Sequence, residues 1–146
     1  MAKAKGLHNL IRLHEWTVDE RRRELGTHLR EREEMDRARD LMDQELQREQ
    51  ALAAANPDGL GVTFGAYYNL YRYRRDRLEL VMRKKDEEIL EARDILSRAY
   101  MDLKKYQVAQ EVRDREAAEE AARKEQEVLD EIGLQLYRRQ NQKKRA

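Results

Sequence analysis

The chain has 146 residues, of which 42% are charged, and its 31 lysines and arginines nearly balance 30 aspartates and glutamates. The absence of cysteine excludes a disulfide scaffold and thiolate-based metal or catalytic sites. No run of 18 apolar residues could cross a membrane, and residues 1–6 lack the apolar segment of a signal peptide, so we expect a cytoplasmic chain without membrane insertion.

The first predicted element is a helix from residue 6 to residue 55, because this stretch is charged, almost free of helix breakers and carries apolar residues at regular intervals. The apolar residues recur every seven positions in two groups: Ile11, Val18 and Leu25, then Met35 and Met42. Arg32 and Arg39 occupy the next positions of the first series. We therefore expect the apolar seam to shift register in the middle of this helix.

A loop is predicted at residues 56–62, where Asn56-Pro57-Asp58-Gly59 combines the residues that favour turns, with glycine available for a positive φ angle. Thr63 can then cap a second helix, predicted at residues 63–140, ahead of a fraying basic tail at 141–146. Helices joined by so short a loop are antiparallel neighbours. The predicted fold is therefore all-α, a single domain in which two long helices form an antiparallel coiled-coil hairpin.

The second helix carries a clear coiled-coil seam, with apolar residues at alternating intervals of four and three. One series is Met82, Ile89, Leu96 and Leu103, and the companion series is Leu78, Lys85, Ala92, Ala99 and Tyr106. Only Lys85 interrupts it. This pattern predicts a second helix that packs along its length against the first.

The second helix is longer than its partner. If Ala55 lies near Thr63, then Gly6 lies near Val112, and the second helix continues as an overhang of roughly 40 Å at 1.5 Å per residue. The overhang carries the apolar residues Val128, Leu129, Ile132 and Leu136. Because these residues have nothing to pack on within the hairpin, the overhang is predicted to bind another protein.

Charge is segregated along the second helix. Residues 108–131 hold nine acids and four bases, whereas residues 138–146 hold five bases and no acid. This separation favours a binding segment whose orientation on a partner is set by electrostatics.

No pattern in the chain indicates chemistry. The three histidines lack metal-ligand spacing, since His14 and His28 lie about 21 Å apart on one helix. The chain has no phosphate-binding glycine loop, and a two-helix hairpin offers no pocket to shift the pKa of a catalytic carboxylate. We therefore expect no catalytic residue, no cofactor and no metal.

Tyrosines and arginines alternate just after the loop, within residues 67–77. One hypothesis is a protein-contact patch, because tyrosine and arginine anchor interfaces. A second is a basic region that binds nucleic acid, but Asp76 interrupts the bases, Tyr73 is too large for that motif and the net charge of +1 attracts phosphate weakly. A third is that the tyrosines merely cover the end of the hairpin. We favour protein contact and expect no nucleic acid partner.

The order of these features resembles the FliJ family of flagellar export proteins, which has counterparts in type III secretion injectisomes. The motifs that carry the resemblance are Leu7, Leu10 and Leu13, then Val18-Asp19, Leu25-Gly26, Phe64-x-x-Tyr67-Tyr68, Lys104-Lys105 and Leu129-Asp130-Glu131-Ile132. They span nearly the whole chain. The resemblance implies a non-enzymatic antiparallel coiled coil, similar to the γ stalk of rotary ATPases, at the cytoplasmic face of the inner membrane.

The partners implied by the resemblance are the hexameric export ATPase, the cytoplasmic domain of the export gate and export chaperones. We expect the ATPase to contact the overhang at Val128, Leu129, Ile132 and Leu136. By position in the family, the gate surface corresponds to Met42, Glu45, Glu49, Leu70, Arg74 and Val81, and Tyr67, Tyr68 and Tyr71 lie close enough to contribute.

A different class of function fits the same helices. A generic coiled-coil scaffold would pair its overhang with itself in a stable homodimer, whereas a stalk protein is expected to be a monomer at micromolar concentration. Light scattering distinguishes the two.

Overall fold

The computed structural model describes residues 2–145 and contains two helices, α1 (Ala2–Ala55) and α2 (Leu60–Arg145), with no strand among those residues. The two long helices pack against each other. This confirms the prediction of an all-α helical hairpin.

The helix boundaries differ from the predicted ones at three places. α1 ends at Ala55 as predicted but already begins at Ala2, within a run of alanine and lysine that favours helix. The connection shrinks to Asn56–Gly59, and none of the described glycines has a positive φ angle, so Gly61 continues the helix instead of ending the loop. α2 extends to Arg145, because the bases in its last turn complement the helix dipole.

Residues 13–101 form one compact unit, in which two antiparallel segments face each other. Side chains of α1 and α2 meet at regular intervals along it. Hydrogen bonds or ion pairs join Asp43 to Arg75, Arg32 to Asp86, Glu31 to Lys85, His28 to Glu88 and Arg22 to Tyr100. From the Asp43–Arg75 pair to the Arg22–Tyr100 pair, the α1 residue lies nearer the amino terminus and the α2 residue nearer the carboxyl terminus, as antiparallel helices require. The pairing of Arg32 with Asp86 is the register predicted from the loop.

The seam of α2 is confirmed within this unit. The buried residues of α2 there are Met82, Ile89, Ala92 and Ala99, and Leu78 and Leu96 are half-buried. Lys85 also lies in the seam, with its side chain only 12% exposed. Two of the buried residues, Ala92 and Ala99, are alanines, which leave little side-chain volume between the helices at these layers.

The seam of α1 does not shift register, and that prediction was wrong. Half-buried or buried positions continue at heptad spacing through the unit, including both arginines of the series: Val18, Leu25, Arg32, Arg39, Leu46 and Ala53. Arg32 reaches out of the seam to Asp36 on its own helix at 2.5 Å and to Asp86 on α2 at 2.7 Å. Because its charge is paired at the edge while its aliphatic stem stays in the seam, arginine is tolerated there.

The second unit comprises residues 2–12 and 102–145 of the described chain. Leu103 is its buried residue, and Leu7, Leu10 and Ile11 are half-buried. Burial along α2 ends at Gln110, and every residue from 111 to 145 is exposed. This exposed segment, residues 111–145, is named the C-terminal arm.

Candidate interaction surfaces

The C-terminal arm presents the four apolar side chains that the sequence identified. Val128, Leu129, Ile132 and Leu136 are each about half exposed or more, at 57%, 55%, 48% and 56%. Their spacing of three and four residues places Leu129, Ile132 and Leu136 on one helix face. Apolar side chains grouped on a bare helix face are the usual mark of a partner site.

The exposed apolar residues of the arm also include Leu134 and Tyr137, which the spacing of the main face does not single out. Leu134 and Tyr137 are 57% and 63% exposed. Leu134 lies on the opposite side of the helix from Ile132 and Leu136, as its position two residues from each requires. Leu134 therefore does not follow the three-and-four spacing of the main face. It can serve as a control position for substitutions on that face.

Local interactions along the helix stabilise the arm, whose residues are all exposed. Lys124 lies 3.6 Å from Glu120, and Gln126 donates a hydrogen bond of 2.9 Å to Asp130. Pairs of this kind, four residues apart, stabilise a helix by about 0.2–0.5 kcal/mol each. The arm thus presents its apolar face in helical form.

A shallow groove near the loop brings together most of the residues assigned to the gate surface. The groove is lined by Met42, Glu45, Tyr67, Leu70, Tyr71 and Arg74. Two of these lie on α1 and four on α2. Residues far apart in sequence therefore form one surface, with apolar, aromatic and charged groups side by side.

Tyr71 is anchored at the base of this groove. Its hydroxyl donates a hydrogen bond of 2.6 Å to Asp43 Oδ1, which also accepts one of 3.2 Å from Arg75 Nε. The bond to Asp43 raises the pKa of Tyr71, and burial raises it further. Tyr71 therefore ties the two helices together and has little freedom to contact a partner.

The other aromatic residues near the loop form a row along α2. Ring centroids of Phe64 and Tyr68 lie 6.1 Å apart, and those of Tyr68 and Tyr71 lie 6.2 Å apart. Burial raises the pKa of Tyr67, and the nearby carboxylates of Glu45 and Glu49 raise it further. Tyr67 lies beside this row and lines the groove.

Three residues of the predicted gate surface do not line the groove. Val81 is 50% exposed and lies three turns along α2 from Leu70. Tyr68 belongs to the aromatic row, and Glu49 acts at a distance through its charge on Tyr67. The groove therefore includes fewer residues than the gate surface expected from the resemblance.

The tyrosine–arginine cluster is divided between two sides of α2. Arg75 is committed to Asp43 and Glu79 on the groove side. Tyr73 lies away from the groove, where Arg77 stacks on its ring at 5.5 Å and donates a hydrogen bond of 2.6 Å to its hydroxyl. Arg75 and Arg77 therefore each have an intramolecular partner, which reduces the number of bases in the cluster that could contact phosphate.

A charged layer in the middle of the hairpin was missed by sequence reasoning. Lys85 contacts Glu31 on α1 and Glu88 on its own helix, the latter at 2.7 Å, and His28 Nδ1 lies 3.3 Å from the Lys85 amine. The hydrogen bonds to these carboxylates raise the pKa of Lys85 and lower those of Glu31 and Glu88. In the sequence, the one sign of this layer was a lysine, Lys85, at a seam position of the second helix.

Within residues 2–145, no cluster of histidine and carboxylate side chains has the geometry to bind a metal ion. Neither described helix contains a stretch that is long and apolar enough to cross a membrane.

Comparison with known proteins identifies the family. The sequence model described as "Flagellar FliJ protein" matches residues 4–142, nearly the whole chain. The chain belongs to the FliJ family. This confirms the resemblance drawn from the order of the motifs. No curated protein and no solved structure matches the chain.

Membership in the FliJ family makes this protein a component related to flagellar protein export. The family is one of non-enzymatic components, and the helical hairpin fits the coiled-coil architecture expected from the sequence. The C-terminal arm and the loop-end groove are the two exposed surfaces described above that bear on this role.

Proposed function

We propose that this FliJ-family protein is a non-enzymatic coupling stalk of the flagellar type III export apparatus. The C-terminal arm binds the hexameric export ATPase, and the loop-end groove binds the cytoplasmic domain of the export gate. The protein works at the cytoplasmic face of the membrane at the flagellar base, and it escorts export chaperones between rounds of export. The observation that supports this most is the helical arm with an exposed apolar face, in a chain that belongs to an export family.

The arm is suited to a ring-shaped partner because it offers one face along a long exposed helix. Burying Leu129, Ile132 and Leu136 on a partner stabilises the complex by several kcal/mol, at about 25 cal/mol per Å² of apolar surface. The acidic stretch and the basic end of the arm then set its direction in the complex.

The ATPase contact is tested by Ile132→Asp. This change places a charge in the centre of the apolar face, and we expect it to weaken binding to the export ATPase at least tenfold, about 1.4 kcal/mol. The matched control is Leu134→Asp, which adds the same charge on the opposite side of the same turn. Affinity is measured by surface plasmon resonance, with circular dichroism to show that both variants keep their helix content.

Equal losses of affinity in Ile132→Asp and Leu134→Asp, or no loss in either, would contradict an ATPase contact through this face. Light scattering at micromolar concentration adds an independent check. The stalk is expected to be a monomer at about 1 µM, and a homodimer that persists at that concentration would favour the generic scaffold instead.

The gate contact is tested by Leu70→Asp in the groove. The expected result is a loss of binding to the gate cytoplasmic domain with ATPase binding unchanged, because the groove and the arm are separate surfaces. Leu80→Asp is the control, since Leu80 is more exposed than Leu70 and lies outside the groove. If Leu80→Asp weakens gate binding as much as Leu70→Asp does, the groove is not the contact surface.

A further inference from the structure

The C-terminal arm carries a second heptad pattern that differs from the seam of the hairpin. Beyond Gln110, the two heptad series of the hairpin reach mostly charged residues: Ala117, Lys124 and Glu131 in one, and Arg113, Glu120, Glu127 and Leu134 in the other. A separate stripe at alternating intervals of four and three runs along the arm instead: Ala118, Ala122, Glu125, Leu129, Ile132, Leu136, Arg139 and Lys143. All of its members are exposed. The arm thus has a coiled-coil face with no partner within the described chain.

This stripe is complementary to itself when a second copy runs in the opposite direction. With the two-fold axis between residues 130 and 131, every stripe position faces another stripe position. The opposed pairs are Leu129 with Ile132, Glu125 with Leu136, Ala122 with Arg139 and Ala118 with Lys143. A two-fold interface requires such reciprocity, in which one patch serves both subunits.

Charge favours the same arrangement. An antiparallel pair places the basic end of one arm, from residue 138 onwards, beside the acidic stretch of the other, where nine acids face four bases. The long stems of Arg139 and Lys143 cover the small Ala122 and Ala118, and their charged groups reach towards Glu119. A parallel pair would instead bring acid to acid and base to base. Electrostatics therefore selects the antiparallel direction.

We propose that the arm pairs with the arm of a second copy of this chain as an antiparallel two-stranded coiled coil. The paired segments are residues 116–145, which leaves residues 111–115 before the hairpin of each copy. Only the Leu129–Ile132 layers are fully apolar, so the interface is too small for a permanent dimer and forms reversibly as concentration rises. The stripe includes Leu129 and Ile132, so self-pairing covers the face that the ATPase site uses.

Sedimentation velocity of the full chain tests the pairing. The mass is expected to rise from 17.5 kDa towards twice that value as the concentration increases from about 1 µM to about 100 µM, and less so at high salt. The double change Arg139→Glu with Lys143→Glu reverses both charges in the stripe and is expected to keep the chain monomeric. The control, Arg138→Glu with Lys144→Glu, makes the same charge change outside the stripe and is expected to weaken the dimer much less.

A monomer throughout the concentration range would overturn the proposal. So would a dimer that both double variants weaken equally, or one that neither weakens. Circular dichroism shows that the variants keep their helices, which separates loss of pairing from loss of structure.

Cross-linking tests the direction of pairing, and the cysteine-free chain makes it straightforward. Ala121 of one arm and Gln142 of the other lie on the same flank of the antiparallel pair. A mixture of Ala121→Cys and Gln142→Cys chains, treated with a short bis-maleimide, is expected to give a mixed dimer. Each variant treated alone is expected to give none, and strong cross-linking of either variant alone indicates parallel pairing and contradicts the proposal.

Discussion

Lys85 occupies a seam position where coiled coils prefer an apolar side chain, and its partners explain why it is tolerated. Its amine lies between Glu31 on α1 and Glu88 on α2. The heptad pattern identified Lys85 as an interruption but could not supply its partners, because Glu31 is 54 residues away and reads as a surface residue. Pairing across the hairpin depends on register, which only the three-dimensional fold fixes.

The carboxylates around Lys85 give the hairpin an acid-sensitive layer. The pKa values of Glu31 and Glu88 are lowered in the folded chain, so their contribution to stability is present above the ordinary carboxyl pKa of about 4.3 and is lost as pH falls through the lowered values. As the pH is lowered from about 5 to about 3, we expect the melting temperature of Lys85→Met to fall less than that of the wild type, because the variant lacks the pairing that protonation removes. Melting followed by circular dichroism across this range measures the effect.

The control for this experiment is Arg98→Met. Arg98 pairs with Asp94 on the same helix, and both side chains are well exposed. Such pairs contribute little to stability, so the acid profile of this variant is expected to match that of the wild type. If Lys85→Met also matches the wild type, the Lys85 layer is not the source of the acid sensitivity.

The two helices differ in how well their sequences predict them. The seam of α2 is apolar and alternates in steps of four and three, so its buried residues were predicted correctly. The seam of α1 contains Arg32 and Arg39, which read as solvent-exposed residues and suggested a register shift that does not exist. The predicted start of α1 and both predicted ends of α2 also differ from the structure. Glycine and proline show where the chain can turn, but they do not determine the residue at which the next helix begins.

Arg39→Leu tests the unbroken seam of α1. Arg39 lies 3.5 Å from both Asp36 and Asp40 on its own helix. Because such ion pairs contribute little to stability, removing the charge of Arg39 lowers the free energy of unfolding only slightly. A leucine there packs into the seam, and we expect the free energy of unfolding to rise by about 1 kcal/mol, a fraction of the value for full burial of leucine. Urea denaturation followed by circular dichroism measures the change.

Arg37→Leu provides the comparison, because Arg37 is exposed and pairs with Glu33 on the same helix. Its effect on the free energy of unfolding is expected to stay within about 0.5 kcal/mol. A rise of the same size in both variants, or in neither, would mean that Arg39 does not occupy the seam.

At the scale of the whole molecule, the exposed arm was the feature that the sequence predicted best. Its existence follows from helix lengths and the loop position alone, and the structure leaves every residue from 111 to 145 exposed. The loop-end groove could not be predicted in this way. It brings Met42 and Glu45 of α1 next to residues of α2, because the two helices pack antiparallel. These residues were predicted only because the chain resembles the FliJ family.

The central claim is that the arm couples this protein to the export ATPase. The most direct test compares ATP hydrolysis by a cognate export ATPase alone, with the full chain, and with a chain cut after Val112, which removes most of the arm and retains the hairpin. We expect the full chain to stimulate hydrolysis and the truncated chain to leave it at the basal rate. Equal stimulation by both chains would contradict a site on the arm, and no stimulation or co-elution with the full chain would contradict the coupling function itself.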